Sequence, residues 1–180
     1  MKLLAFATAA WTCFASDLAV TSMDGAKVDF ASLRGAQVTV VGFISAKCPV
    51  SDAYNQRMSA LYRDYSSKGV RFVFLNPNSN ETFEDMKKQI ATAALAFPLY
   101  KDGGNLVADF LGAQTTPEFF VLDGTGAVRY RGAFDDSQNP ARVKVHGLTA
   151  AVDALLAGKP VPTDRLRAFG CTIHRVRQTS

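Results

Sequence analysis

The sequence predicts a single-domain α/β protein with a central mixed β-sheet flanked by helices. Three observations lead there. Apolar, β-branched runs alternate with stretches of helical period, the pattern of strands joined through helices. Late in the chain, two apolar runs flank an Asp-Gly-Thr-Gly turn, which requires antiparallel neighbours in the same sheet. A chain of 180 residues, 48% of them hydrophobic, suffices for one sizeable core but not comfortably for two.

Residues 37–44 form a continuous β-branched and apolar run and read as a central strand buried on both faces. From Pro49 the period becomes helical. Tyr54, Met58, Leu61, Tyr62 and Tyr65 fall on one face, and Lys68-Gly69 supplies a stop. Residues 70–75 are a second strand. Thr82 with Asp85 opens a helix carrying Phe83, Met86 and Ile90. Residues 97–100 read as a short extra strand and 105–111 as a short helix ending at Gly112. The hairpin joins 119–122 to 128–131. A last helix carries Leu148, Val152, Leu155 and Leu156 and ends at Gly158, with Pro160 beyond. This succession of strand, helix, strand, helix, hairpin and helix is the order of the thioredoxin-like fold. The stretch 161–180 has no sustained period and is rich in Arg, so the domain is expected over 17–160 with 161–180 as a C-terminal extension carrying Cys171.

Charge and leader narrow the class. The formal net charge of +4 is spread among interleaved acidic residues and draws no nucleic-acid footprint. Met1-Lys2, the apolar run 3–11 and the small residues Ala15 and Ser16 make a secretory signal pattern over 1–16. The run is shorter than the about 20 apolar residues of a membrane span, so no stable membrane insertion is expected after the signal is removed. Export to the periplasm or the extracellular space would remove Cys13 and leave Cys48 and Cys171 in an oxidising compartment. Two readings follow: a structural staple, or an attacking thiol with a resolving one.

The surroundings of Cys48 favour chemistry. It follows the first core strand, and Pro49 suits the first helical position, so Cys48 falls at a helix N-cap. Unpaired N–H groups and the positive end of the helix dipole favour a thiolate there, and Lys47 adds a neighbouring cation. Ser51 is a hydroxyl able to hydrogen-bond that thiolate. Thr116-Pro117 precedes a strand, where a proline costs no ladder bond. Glu118 beside it reads either as an exposed strand-start carboxylate or as a proton carrier at the site.

Cys48-Pro49-Val50-Ser51, Tyr54, Arg57, Thr116-Pro117-Glu118, Arg131-Gly132-Ala133 and Gly170-Cys171-Thr172-Ile173 resemble the bacterial redoxin group. That group lies in the peroxiredoxin-like superfamily of alkyl hydroperoxide reductases and thiol-specific antioxidants, and the resemblance runs over about 17–176. It implies a thioredoxin-like fold, thiol redox chemistry at Cys48, and a cis Pro117 beside the cysteine whose preceding backbone pairs with an incoming peptide. Ser51 stands where dithiol thioredoxins carry their second cysteine. Ser45 fits the hydroxyl position three residues before the peroxiredoxin cysteine, while Val41 replaces that motif's proline. The peroxide-stabilising guanidinium of that family would be Arg129 or Arg131.

The function expected is therefore an exported thiol–disulfide oxidoreductase or peroxiredoxin-like antioxidant. Its nucleophile is Cys48, its resolving thiol Cys171, its substrate a disulfide or hydroperoxide, and its reductant a thiol. No cofactor or metal is called for. The alternatives are a non-catalytic interaction domain with a Cys48–Cys171 staple, and a copper-handling module using Cys48, Cys171 and His174.

Overall fold

The structure, a computed structural model, describes residues 18–177. The expected signal segment 1–16 and Cys13 lie outside the described residues. A hairpin of two short strands, β1 (Ala19–Thr21) and β2 (Lys27–Asp29), leads into a 3-10 turn over Phe30–Leu33 capped by Asp29. Next come β3 (Val38–Phe43), α1 (Pro49–Ser66), β4 (Val70–Asn76), α2 (Phe83–Ala93), β5 (Leu99–Lys101) and α3 (Leu106–Leu111). β6 (Thr115–Thr116), β7 (Glu118–Asp123), β8 (Val128–Gly132) and α4 (Gly147–Leu156) follow, and then the short strands β9 (Arg165–Leu166) and β10 (Cys171–Thr172).

Among the described residues one sheet holds eight strands in the order β2-β1-β5-β4-β3-β7-β8-β9. β3, β4 and β5 are parallel, whereas β7 runs antiparallel to both β3 and β8, so the sheet is mixed as the hairpin signature requires. Successive residues of a strand face opposite sides, and here both sides are covered. Val38 and Val40 of β3 belong to the apolar cluster that takes Tyr54, Met58 and Leu61 of α1, Met86 of α2, and Leu148 and Val152 of α4. Val41 and Phe43 belong to the second cluster, with Phe30 and with Val107, Ala108 and Leu111 of α3. That double cover is why every residue of β3 is buried and why its sequence shows no alternation.

Helix α2 starts on the capping box read from the sequence, with Thr82 accepting from the Asp85 N–H and Asp85 accepting from the Thr82 N–H. Residues 161–177 of the expected C-terminal extension pack onto the domain by two short strands. Arg165 and Leu166 add β9 to the sheet beside Arg131 and Gly132, and Cys171 and Thr172 pair with β6. Strands of two residues are too short to leave a period in a sequence, and the same holds for β1 and β2 at the other end.

One polar clamp fixes α1 against the loop after β8. Asp135, 2% exposed, accepts from the Tyr54 hydroxyl at 3.0 Å and pairs with Arg57, whose guanidinium lies 4.0 Å over the Tyr54 ring. Burial first, and the Asp135 carboxylate second, push the Tyr54 phenol above its ordinary range. Asp135→Ala leaves the buried Tyr54 phenol without its acceptor and the largely buried Arg57 guanidinium without its counter-charge, held only by the Ser137 and Gln138 carbonyls at 3.0 and 2.7 Å. A loss of about 3–5 kcal/mol in urea unfolding is expected. A loss below about 1 kcal/mol would show that the clamp is dispensable.

Candidate functional site

The site forms where β3 runs out and α1 begins. Cys48 has extended backbone angles, φ −94° and ψ 116°, and is the N-cap of α1 with Pro49 in its first turn. Its carbonyl accepts the Asp52 N–H at 3.0 Å, so Cys48 holds the half-in position that the sequence suggests. The residue is 2% exposed. Its sulfur is bonded to that of Cys171, 123 residues further on, with the two Cα atoms 6.0 Å apart. The fold thus brings the two cysteines together.

Thr116-Pro117 is a cis peptide, in agreement with the family resemblance. The Thr116 carbonyl oxygen lies 3.2 Å from the Cys48 sulfur, a contact in the disulfide and an acceptor position for a reduced thiol. On the other side Thr116 pairs with Cys171 and Thr115 with Thr172, and the Ile173 N–H donates to the Gln114 carbonyl at 3.0 Å. The backbone before the proline is therefore occupied by the chain's own C-terminal strand.

Three side chains stand differently from their sequence expectation. Lys47 is half exposed and its ammonium lies 2.9 Å from Asp85, with the Asn80 carbonyl at 3.2 Å. Its charge is committed to α2, where the Thr82 N–H first and Lys47 second hold the Asp85 carboxyl down to about 2. Ser51 is fully buried, and its oxygen accepts the Ser45 N–H at 3.1 Å, tying the loop to the first turn of α1. Glu118 is 4% exposed, so the exposed-carboxylate reading is wrong. It accepts from the Gln114 and Thr115 N–H groups at 2.7 and 3.2 Å and from Arg131 at 3.4 Å, bracing the turn before the cis proline. Arg131 is thereby joined to the site, whereas Arg129 pairs with Asp123 at the far end of the hairpin. Glu118 and Arg131 also line an open cavity of about 450 Å³ together with Thr115, Arg165 and Arg167.

Sequence reasoning missed a buried cluster under the loop. The Glu81 carboxylate, 4% exposed, accepts from the Ser45 hydroxyl, the Ala46 N–H at 2.7 Å, Asn76 at 2.6 Å and Asn78 at 2.9 Å. Lys101 reaches in from β5 and donates to the Asn76 side chain at 2.9 Å and to the carbonyls of Asn78 and Glu81 at 2.5 and 2.8 Å. Burial lowers the Lys101 ammonium's pKa, and the Glu81 and Asp102 charges oppose that shift. The signal present in the sequence is a polar run, Asn76-Pro77-Asn78, closing an apolar strand shortly before Glu81. Ser45, the hydroxyl three residues before the cysteine, is thus occupied by this carboxylate. Among the described residues no group of three or more His, Cys, Asp or Glu side chains is placed to hold a metal ion. The Cys48 and Cys171 sulfurs of the copper alternative are bonded to each other, and the His174 backbone is tied to Asn78 and Ser79.

A cysteine capping the helix after the central strand, bonded across to a strand beside a cis proline, defines a thioredoxin-like protein of the redoxin type. The chain belongs to the AhpC/TSA family, which it matches over residues 12–131. Cys171 lies beyond that stretch. Two solved structures overlay on most of the chain. An uncharacterized conserved protein from Geobacillus kaustophilus has a TM-score of 0.81 and 32% identity, covering 91% of this chain and 90% of the other. A hypothetical protein from Sinorhizobium meliloti 1021 has a TM-score of 0.79 and 31% identity, covering 90% and 92%. The thiol:disulfide interchange protein DsbE of Tatumella citrea is 35% identical over 88 residues, 49% of this chain. The match spans 45% of that relative's length.

Proposed function

We propose that the protein is an exported thiol–disulfide oxidoreductase in which Cys48 attacks and Cys171 resolves. The observation that carries this reading is the Cys48–Cys171 disulfide at the N-terminus of α1, laid against the strand before a cis proline. The thiol:disulfide interchange protein among its relatives supports it. In the dithiol form, the Cys48 thiolate displaces one sulfur of a substrate disulfide and forms a mixed disulfide. Cys171 then attacks the Cys48 sulfur, and the substrate leaves as a dithiol with two electrons gained. An external thiol reductant of the same compartment restores the starting form. The leader pattern over 1–16 supports export to the periplasm or the extracellular space.

The test offers the reduced protein a small disulfide or a hydroperoxide in separate reactions. Oxidation to the Cys48–Cys171 disulfide by the substrate disulfide is expected to outpace oxidation by hydroperoxide. Faster consumption of hydroperoxide, through a sulfenic acid on Cys48, would instead assign the peroxiredoxin reaction.

A further inference from the structure

The strand that covers Cys48 carries a steric record of what can lie there. Gly170 passes so close to β6 that a Cβ built on it would stand 2.1 Å from the Thr116 carbonyl oxygen and 3.2 Å from Pro117 Cδ. Both atoms belong to backbone or to a proline ring, so neither can swing aside. Two residues beyond Cys171, Ile173 is 4% exposed and joins the apolar cluster that holds Val41, Phe43, Leu111 and Ala113. Thr172 between them is exposed. Alternation along an extended segment thus fixes the pattern. No side chain fits before the cysteine, any side chain fits directly after it, and an apolar one fits at the next position. The segment is also held on both flanks. β9 joins the sheet upstream, while downstream the His174 carbonyl accepts the Ser79 N–H at 2.7 Å and the Val176 N–H donates to Asn105 at 2.8 Å.

Resting on the oxidoreductase reading, we propose that β6 selects partner segments of the form Gly-Cys-x-apolar, for which the chain's own residues 170–173 are a built-in competitor. The partner lies antiparallel to β6 in the place of Cys171–Thr172, with its glycine against Thr116 and its apolar residue in the seat of Ile173. The Cys48 thiolate bonds to the partner's cysteine sulfur, and the partner's second sulfur leaves as a thiolate that takes up a proton. Return of the C-terminal strand then does two things at once. The Cys171 thiolate breaks the mixed disulfide, and residues 170–173 displace the partner from the strand edge. A dithiol reductant afterwards supplies the two electrons that reopen Cys48–Cys171.

The test uses full-length Cys171→Ser, with Cys171→Ala as a second variant should the first fold poorly. The probe is a synthetic nonapeptide, Ala-Phe-Gly-Cys-Thr-Ile-His-Arg-Val, activated on its cysteine with thionitrobenzoate. Two further peptides carry valine for the glycine or aspartate for the isoleucine. Adduct formation at Cys48 is expected to be about tenfold or more faster with the parent peptide than with either variant. In the parent adduct, amide exchange at 170–176 should accelerate as the strand is displaced. Equal rates for the three peptides, or unchanged protection of 170–176 in the adduct, would overturn the proposal and leave the oxidoreductase reading standing. Failure to react with the peptides and with glutathione disulfide alike would remove the oxidoreductase reading, and this one with it.

Discussion

Cys48→Ser is expected to abolish turnover with a disulfide substrate while the fold stays close to that of the reduced wild type. Serine is a good N-cap, and the Thr116 carbonyl 3.2 Å from the sulfur can accept from a hydroxyl as it would from a thiol. Cys171→Ser is expected to behave differently. On the oxidoreductase reading it retains the attacking thiol and lacks the resolving one, so a mixed disulfide should accumulate on Cys48, visible by mass. An external thiol should restore part of the turnover. The staple reading predicts symmetry instead. With the cysteines 123 positions apart in sequence, either substitution would cost the oxidised protein roughly 2–5 kcal/mol, and neither would alter an activity that the wild type lacks. Equal losses of stability, without adduct or turnover, would decide for the staple.

The second large effect is expected at Glu81. Its carboxylate receives the Ser45 hydroxyl, the Ala46 N–H and the amides of Asn76 and Asn78, and its charge opposes the burial penalty on Lys101. Glu81→Gln offers one acceptor oxygen where two stood and turns an N–H₂ group toward other donors. It also removes the charge facing a buried ammonium. A loss of about 3–5 kcal/mol is expected, a fall in Tm of order 10 °C for a chain of this size. Because Ser45 and Ala46 lead directly into Cys48, alkylation of the reduced thiol should also change rate. Glu84→Gln, exposed on α2, is the control and should stay within about 0.5 kcal/mol of wild type. A Tm shift at Glu81 no larger than that control would refute the anchoring role.

These two predictions differ in how far the sequence foresaw them. Cys48 was legible because a cysteine between Lys47 and Pro49, after a buried strand, carries its own local explanation, a helix cap. Thr116-Pro117 was legible by its place before a strand. The choice between the two readings of Glu118 was not legible because its burial depends on the Gln114 and Thr115 amides turning back onto it, an effect of chain reversal that no neighbouring residue type announces. Lys47 was adjacent to Cys48 in sequence, yet adjacency across a helix cap does not bring side chains together, and its partner Asp85 lies on another helix. Glu81 and Lys101 were invisible singly, since a charged residue in a sequence reads as exposed until both its cover and its partner are known. The two strands at Arg165–Leu166 and Cys171–Thr172 were not legible for a different reason: strands this short derive their existence from the edges that they meet.

In a protein with both thiols in one helical turn, the distance between the sulfurs is set by that turn. Here the second sulfur is carried on a separate segment, and the hydrogen bonds from Ser79 to His174, from His174 to Asn78 and from Val176 to Asn105 hold it near the first. A tethered group acts at an effective molarity fixed by its tether. On the oxidoreductase reading, the readiness of Cys171 to close on Cys48 is consequently adjustable from Asn78 and Asn105, neither of which bears sulfur, so the oxidising strength of the pair can be retuned with the chemistry of both cysteines untouched.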